Sequence, residues 1–311
     1  MSPILIVLGF VVIAAMRVIQ KMCAKKVSGA VSGATFFHYG GYYNLVAALL
    51  ALISVALSGF AGFTLPTLLC AAATAVFLAL ELLVSLTVLK TCSLIVVQMF
   101  SVGAMAIPCI VGIFFFGEPM SLLQWLGVAL FMGSMYLIIR PASDKRKATA
   151  GETLSPRTLL LLVLLLLLGG GVMVVQKAFS RLVTDGSSTA YSFLMFAFSA
   201  VFMYTAYLVL VLRSRRAAEG EDAPPPTEPR ALPRLLLVCG ALLAFAVFVI
   251  NLVVVEMGGS VSSALLFSVS NVITIVITIL VGYFYYRERI SPINGLGILT
   301  AAGAIAMINF L

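Results

Sequence analysis

Ten long apolar runs, separated by short polar segments, dominate this chain of 311 residues. Each run has about 20 residues or more, which is enough for a helix to cross the hydrocarbon core of a bilayer. The runs are continuously apolar instead of alternating, so they predict helices and not the strands of a membrane barrel. We therefore expect an all-α integral membrane protein with ten transmembrane helices, called spans 1 to 10: 3–22, 35–58, 65–89, 92–116, 121–140, 158–178, 189–212, 234–256, 262–286 and 292–311.

Two polar segments interrupt this pattern. Residues 141–157 have mixed charge and are predicted to be a cytoplasmic linker. Residues 213–233 combine several charges with Pro224-Pro225-Pro226, a composition that predicts a disordered cytoplasmic loop. We interpret that loop as a tether, with a regulatory docking role as the alternative. Span 1 lacks a basic start and a small-residue cleavage site, so we interpret it as a mature helix and not as a signal peptide.

The two halves of the chain repeat one another in sequence. One register, called the turn register, superimposes the turn after span 4, Gly117–Ser121, on the turn after span 9, Arg287–Ser291. A second, called the Gln-Lys register, superimposes Gln20-Lys21 on Gln176-Lys177. The interpretation is a five-span unit used twice. Because five is odd, the second copy enters the membrane in the opposite orientation, an arrangement typical of transporters.

The predicted organisation is thus a first repeat over residues 1–140, the linker, and a second repeat over residues 158–311. We expect the substrate site near mid-membrane, between the two repeats. Span 6 contains Gly169-Gly170-Gly171. Small residues allow helices to approach closely, so this triplet is interpreted either as a pivot or as plain close packing.

Composition and charge support a membrane protein and orient it. Apolar residues make up 62% of the chain and charged residues 10%, a balance that requires a bilayer as solvent. Of the basic residues, sixteen adjoin odd-numbered loops, whereas only Lys177 and Arg181 are assigned to even-numbered loops. The positive-inside rule then predicts cytoplasmic odd-numbered loops and both termini outside. The net charge of +8 is therefore explained by orientation, and no nucleic acid partner is expected.

The turn motifs carry a family resemblance. They are the Gly-Glu-x-x-Ser turn of 117–121, the Gln124 and Gly127 that follow it, the Leu89–Thr91 turn that ends span 3, and the echo after span 9. With these motifs in this order on ten spans, the chain resembles the drug/metabolite transporter superfamily, close to its EamA-like branch. The resemblance covers essentially the whole chain. Arg287 departs from it, since the family more often has glycine there.

This resemblance implies two inverted five-helix repeats, with spans 1–4 and 6–9 around a central cavity and spans 5 and 10 peripheral. It also implies transport of small metabolites, amino acids or organic cations and, in other branches, of sugar phosphates or nucleotide sugars.

Glu81 is the one carboxylate well inside an apolar run. A charge at the bilayer centre costs about 2.5–3.5 kcal/mol on insertion scales, so it needs a partner or a wet cavity. The functional interpretation is that Glu81 binds a cationic group of the substrate or exchanges a coupling proton. The structural alternative is an ion pair with Arg17 of span 1.

Other polar side chains lie at comparable predicted depth. Gln98 and Ser101, three residues apart on span 4, are expected to face Glu81, and Lys21 is expected to snorkel to the headgroups. Hydrogen bonding between helices, worth about 1 kcal/mol or less, is the alternative for each amide and hydroxyl. Including the positions that the repeat aligns, the candidate substrate-binding or coupling residues are Glu81, Arg17, Gln20, Gln98, Ser101, Tyr39, Tyr42, Gln176, Asn251, Ser268 and Asn271.

Aromatic residues cluster on spans 2 and 7, including Tyr39, Tyr42 and Tyr191. A wall of such rings suits an organic cation or a flat apolar solute, and an aromatic belt at the membrane interface is the alternative. His38 is the single histidine, and the five cysteines form no CxxC pair, so no metal site or cofactor is expected.

These observations predict a secondary active transporter in the cell membrane. No Lys or Arg occurs between Leu235 and Tyr286, which favours a neutral, zwitterionic or cationic solute such as an amino acid or amine. The mechanism expected is alternating access, with proton coupling as an option, in a monomer or homodimer. A transporter of a sugar phosphate or nucleotide-type solute is the alternative. An enzyme or a channel fits less well, because the chain has no HExxH or GxSxG motif and a duplicated inverted unit favours alternating access.

Overall fold

The computed structural model describes residues 19, 21, 33–117, 120–139, 155–217, 232–258, 278–287 and 292–310. Over these residues the chain forms helices and no strand. The α-helices are α1 (Gly33–Leu57), α2 (Leu65–Thr91), α3 (Leu94–Gly103), α4 (Ala106–Phe116), α5 (Leu122–Ile139), α6 (Pro156–Leu182), α7 (Ser188–Ala217), α8 (Arg234–Gly258) and α9 (Pro292–Phe310). A short π-helix, Val281–Tyr285, precedes α9.

Six helical stretches are long and apolar enough to cross a membrane: Ala34–Leu57, Leu65–Lys90, Leu94–Phe116, Pro156–Leu182, Ser188–Ser214 and Arg234–Leu252. This agrees with the predicted all-α membrane protein. The count of ten spans stays a prediction, since most of span 1 and most of span 9 lie outside the described residues.

Side-chain caps fix where several helices begin. The Ser93 hydroxyl accepts a hydrogen bond from the backbone N–H of Val96 at 3.2 Å, and the Ser155 hydroxyl accepts one from Thr158 at 3.2 Å. Each cap satisfies a donor that has no partner inside the helix. Pro156 follows Ser155 at the first helical position, where a missing N–H costs nothing.

Span 4, predicted as one run, is divided into α3 and α4 at residues 104–105. Pro108 explains the break, because proline has no N–H to donate to the carbonyl of Ala104 four residues earlier. That carbonyl instead accepts from Ile107 at 3.2 Å, a tighter three-residue turn. The interruption lies about halfway along Leu94–Phe116.

α7 also differs from the predicted boundary. It continues to Ala217, so residues 213–217, predicted as part of the disordered loop, are helical. Basic residues favour the C-terminal end of a helix, where they oppose its dipole, and this stretch is rich in arginine. Residues 218–231 lie outside the described part of the chain.

The helices pack in a defined order. α1 packs most extensively on α7, and α5 on α9. α2 packs on both α6 and α7, and α8 packs on α1. Small residues permit the close approach of α1, whose Ala47 and Ala51 are fully buried in one apolar core with Tyr191 and Phe196 of α7.

The outer face of the bundle is apolar. On α1, Leu49, Ile53 and Leu57 are 53%, 58% and 85% exposed, whereas Ala47 and Ala51 on the opposite face are buried. Leucine and isoleucine on the outside with alanine inside is the reverse of a water-soluble bundle. A lipid bilayer is the environment that this surface fits.

Candidate functional site

Glu81 lies on α2 and is half-buried. Its carboxylate faces α6 at the glycine triplet: a Cβ placed on Gly169 would lie 3.4 Å from Oε1 of Glu81. The same Cβ would lie 3.2 Å from Cβ of Ala104, at the break between α3 and α4. The carboxylate therefore sits where three helical segments meet and one of them is interrupted.

Gln176 and Asn251, both predicted site residues, are brought together. The Gln176 side-chain amide of α6 donates a hydrogen bond to Oδ1 of Asn251 on α8. One turn further along, the Ser180 hydroxyl donates to the carbonyl of Val255 at 2.8 Å. These bonds join α6 to α8, so both amides have a structural role in this conformation.

Tyr39 and Tyr42 contribute to packing between α1 and α8. Both rings lie against Gly240, where an added Cβ would be 3.2 Å from Cε2 of Tyr39 and 3.2 Å from Cε1 of Tyr42. The Tyr42 hydroxyl donates to the carbonyl of Leu237 at 3.0 Å, and Tyr39 is fully buried. These contacts account for both rings without invoking a solute.

The remaining candidates divide into two groups. Gln98 is buried on α3, and Ser101 is half-buried, with its hydroxyl 3.2 Å from the carbonyl of Val97 to which it donates. Four predicted site residues lie outside the described residues: Arg17, Gln20, Ser268 and Asn271.

Lys177 is a site candidate that the sequence reasoning missed. Its charge was counted with an even-numbered loop although the predicted span 158–178 includes it, and in the structure it lies within α6 and is only 1% exposed. A lysine buried at membrane depth is costly and usually functional. The repeated Gln-Lys pair at 20–21 and 176–177 is the signal that could have found it, because it places lysine at the same position of each half.

Lys21 lies beside an aromatic ring. Its side chain is 6% exposed, and its ammonium lies 4.7 Å from the centre of the Tyr286 ring. The attraction of a cation to the face of an aromatic ring explains this contact, and the expected extension to the headgroups stays a prediction.

A cluster of polar and aromatic side chains joins α2, α6 and α7. The hydroxyls of Thr74 and Tyr191 are hydrogen-bonded at 2.7 Å, and the Tyr191 ring stacks on Phe179 with 4.2 Å between centroids. Nearby, Ser58 and Thr189 are hydrogen-bonded at 3.0 Å between the ends of α1 and α7. Gly62 also lies against the backbone of Ser187, so the loops 58–64 and 183–187 meet at one end of the bundle.

A groove of about 580 Å³ lies between α2 and α7. Its walls are apolar, including Ala75, Val76, Phe198 and Phe202, and no predicted site residue lines it. It opens on the outer face of the bundle, so its position suits contact with lipid better than binding of a polar solute.

Comparisons with known proteins give a fold without a family. No family model matches the chain, and no curated protein matches it. Among solved structures, 27 chains match. One, described only as a crystal structure of a protein, has a TM-score of 0.59 and 12% sequence identity, over 96% of this chain and 97% of that chain. At this identity the likeness shows a shared fold over nearly the full length.

Proposed function

We propose that this protein is a secondary active transporter that moves a small organic metabolite across the cell membrane by alternating access. The observation that carries the proposal is Glu81: a half-buried carboxylate within a membrane-spanning helix, at the junction of α2, α6 and the α3–α4 break. Interrupted helices beside polar groups are characteristic of solute and ion sites in transporters. The resemblance to the drug/metabolite transporter superfamily, EamA-like branch, agrees with this function.

Helix boundaries support the inverted duplication. When α1 is shifted along the chain according to the Gln-Lys register, its first and last residues fall within four residues of those of α7. The same shift with the turn register places the ends of α2 within three residues of the ends of α8. It also places the ends of α5 within three residues of the ends of α9. The registers rest on matching residue types, whereas the helix limits follow from backbone geometry, so this agreement is a separate observation.

The packing order gives further support. Helices that the registers equate, α1 with α7 and α5 with α9, form the most extensive contacts. The contact of α2 with α7 has its counterpart in that of α8 with α1. A two-fold axis produces such a pattern, because when one element contacts another, their equivalents make the same contact.

The charges favour a zwitterionic solute such as an amino acid. Glu81 suits an ammonium group, and the buried Lys177 and Lys21 suit a carboxylate. The lysines also favour the second candidate, a sugar phosphate or nucleotide-type solute, because cationic side chains bind phosphate groups and a carboxylate does not. The solute panel below separates the two.

The test uses purified protein reconstituted in proteoliposomes. A ligand-dependent thermal-shift screen against amino acids, amines, nucleosides and sugar phosphates first identifies a solute. We expect saturable uptake with counterflow for the wild type. Glu81→Gln should abolish this transport or its pH dependence while the protein remains folded, and Glu219→Gln, a carboxylate in the polar loop, is the matched control.

Wild-type-like, pH-dependent uptake by Glu81→Gln would refute the role of Glu81. Uptake without saturation or counterflow would identify a channel, and hydrolysis of lipid or peptide would identify an enzyme.

A further inference from the structure

The groove between α2 and α7 follows a single face of α7. Its lining residues on that helix lie three or four positions apart, the spacing that keeps side chains on one stripe: Phe198, Val201, Phe202, Thr205, Ala206 and Val209. On α2 the wall consists of short side chains, Ala72, Ala75 and Val76. The groove is therefore an apolar trough that runs along α7.

The length of this trough matches one lipid leaflet. From Phe198 to Val209 the axis of α7 rises by about 16 Å, at about 1.5 Å per residue. Half of the hydrocarbon core of a bilayer is about 15 Å thick. The span runs from Ser188 to Ser214, so the trough lies mainly along its C-terminal half. It therefore faces the acyl chains of the leaflet at the C-terminal end of α7, which is predicted to be cytoplasmic.

A basic residue continues the same stripe beyond the trough. Arg213 follows Val209 by four positions and Ala206 by seven, so it lies on the face of α7 that lines the groove. It is exposed and adjoins the end of the span at Ser214. A cation is thus placed at headgroup depth, at the end of an apolar trough.

We propose that this groove binds an anionic phospholipid, with an acyl chain along α7 and the headgroup phosphate beside Arg213. A guanidinium forms charge-assisted hydrogen bonds with phosphate oxygens. The cytoplasmic leaflet is also the one in which anionic lipids attract basic residues close to the membrane. The lipid site is separate from the proposed solute site, since no predicted site residue lines the groove.

The test measures lipid binding to the full-length protein in detergent by native mass spectrometry. The probes are phosphatidylglycerol, which is anionic, and phosphatidylcholine with the same acyl chains. We expect the wild type to bind phosphatidylglycerol more tightly. Glycerophosphoglycerol, the same headgroup without chains, should not bind at these concentrations, because the trough holds the chain.

Arg213→Gln should lower the preference for phosphatidylglycerol about fivefold, the factor expected for one basic residue near a membrane surface. Arg234→Gln is the matched control. Arg234 is likewise exposed and begins α8 after the same predicted cytoplasmic loop, but it is not on the stripe of α7. This control should keep the wild-type preference.

Ala206→Leu tests the trough itself. Leucine fills part of the space, so the acyl chain no longer settles there and the preference for phosphatidylglycerol should be lost. Ala73→Leu is the control, since Ala73 is exposed on α2 and does not line the groove. Ala72→Leu fills the trough from the opposite wall and replaces Ala206→Leu if that variant folds poorly.

Equal binding of the two lipids by the wild type would overturn the inference, as would equal losses in Arg213→Gln and Arg234→Gln. An unchanged preference in both groove-filling variants would place the anionic lipid elsewhere and also overturn it. A dimer that Ala206→Leu dissociates would assign the groove to a second copy of the chain instead. None of these measurements depends on transport, so their failure leaves the proposed function intact.

Discussion

Two residues, one in each turn of the turn register, share an unusual backbone conformation. Gly117 ends α4 with φ 62° and ψ 27°, and Arg287 follows the π-helix with φ 52°. The turn register superimposes them. Glycine adopts this left-handed conformation freely, whereas an L-residue with a side chain is strained there by roughly 1–2 kcal/mol. The turn at 287 therefore has the left-handed backbone of the turn at 117, although it has arginine where the other has glycine.

We predict that Arg287→Gly raises the free energy of unfolding by about 1 kcal/mol, because it removes this backbone strain. Gly117→Ala should lower it by a similar amount. Gly133→Ala is the matched control, since neither glycine meets an atom within 4 Å but Gly133 is in an ordinary helix. That control should be neutral or stabilising. Denaturation of the purified protein measures all three, and a loss of stability in Arg287→Gly would contradict the strain.

At the scale of single elements, the motif behind the family resemblance begins a helix. The Ser121 hydroxyl accepts from the N–H of Gln124 at 3.2 Å, and the Gln124 side chain accepts from the N–H of Ser121 at 2.9 Å. This reciprocal pair is a capping box, which satisfies two donors at the start of α5. The spacing of Ser121 and Gln124 is therefore explained by helix initiation.

Hydrogen bonds between elements give a second prediction. Gln176→Leu and Asn251→Leu should each destabilise the protein, since each leaves the other amide without its partner between α6 and α8. The double variant should lose less than the sum of the single ones, by about 0.6 kcal/mol and at most about 1.7. Denaturation of the four proteins measures this coupling. Strict additivity would mean that the pair contributes nothing to joining the two helices.

The sequence predicted elements better than partners. Apolar run length predicted α1, α2, α6 and α8 to within a few residues, because only a helix satisfies its backbone in lipid. The break in span 4 was missed although Pro108 was visible, since a proline in a membrane helix is often tolerated. Lys177 was counted with a loop by its charge although span 158–178 includes it, and its burial follows from the packing of α6.

The partners of the predicted site residues followed from tertiary packing. The pairing of Gln176 with Asn251 depends on the crossing of α6 and α8, and the contact of Glu81 with Gly169 depends on that of α2 and α6. The pattern of apolar residues along one helix does not predict where that helix crosses another. The sequence offered Arg17, Gln98 and Ser101 as neighbours of Glu81. Its contact with Gly169 became visible only in the assembled helices.

At the scale of the whole molecule, the proposed function requires a five-span unit that is used twice in opposite orientations. The loops 58–64 and 183–187 meet at one end of the bundle, since Gly62 lies against the backbone of Ser187. The inverted arrangement predicts that the polar loop 213–233, which corresponds to loop 58–64 in the Gln-Lys register, lies on the other side of the membrane.

Labelling of single cysteines tests this arrangement most directly. The five native cysteines are replaced by serine or alanine, and one cysteine is introduced at Ala61, Gly186 or Gly220. A membrane-impermeant thiol reagent is applied to intact cells and to inverted vesicles. We predict that positions 61 and 186 react from one side and position 220 only from the other. Reaction of positions 61 and 220 from the same side would contradict the inverted duplication.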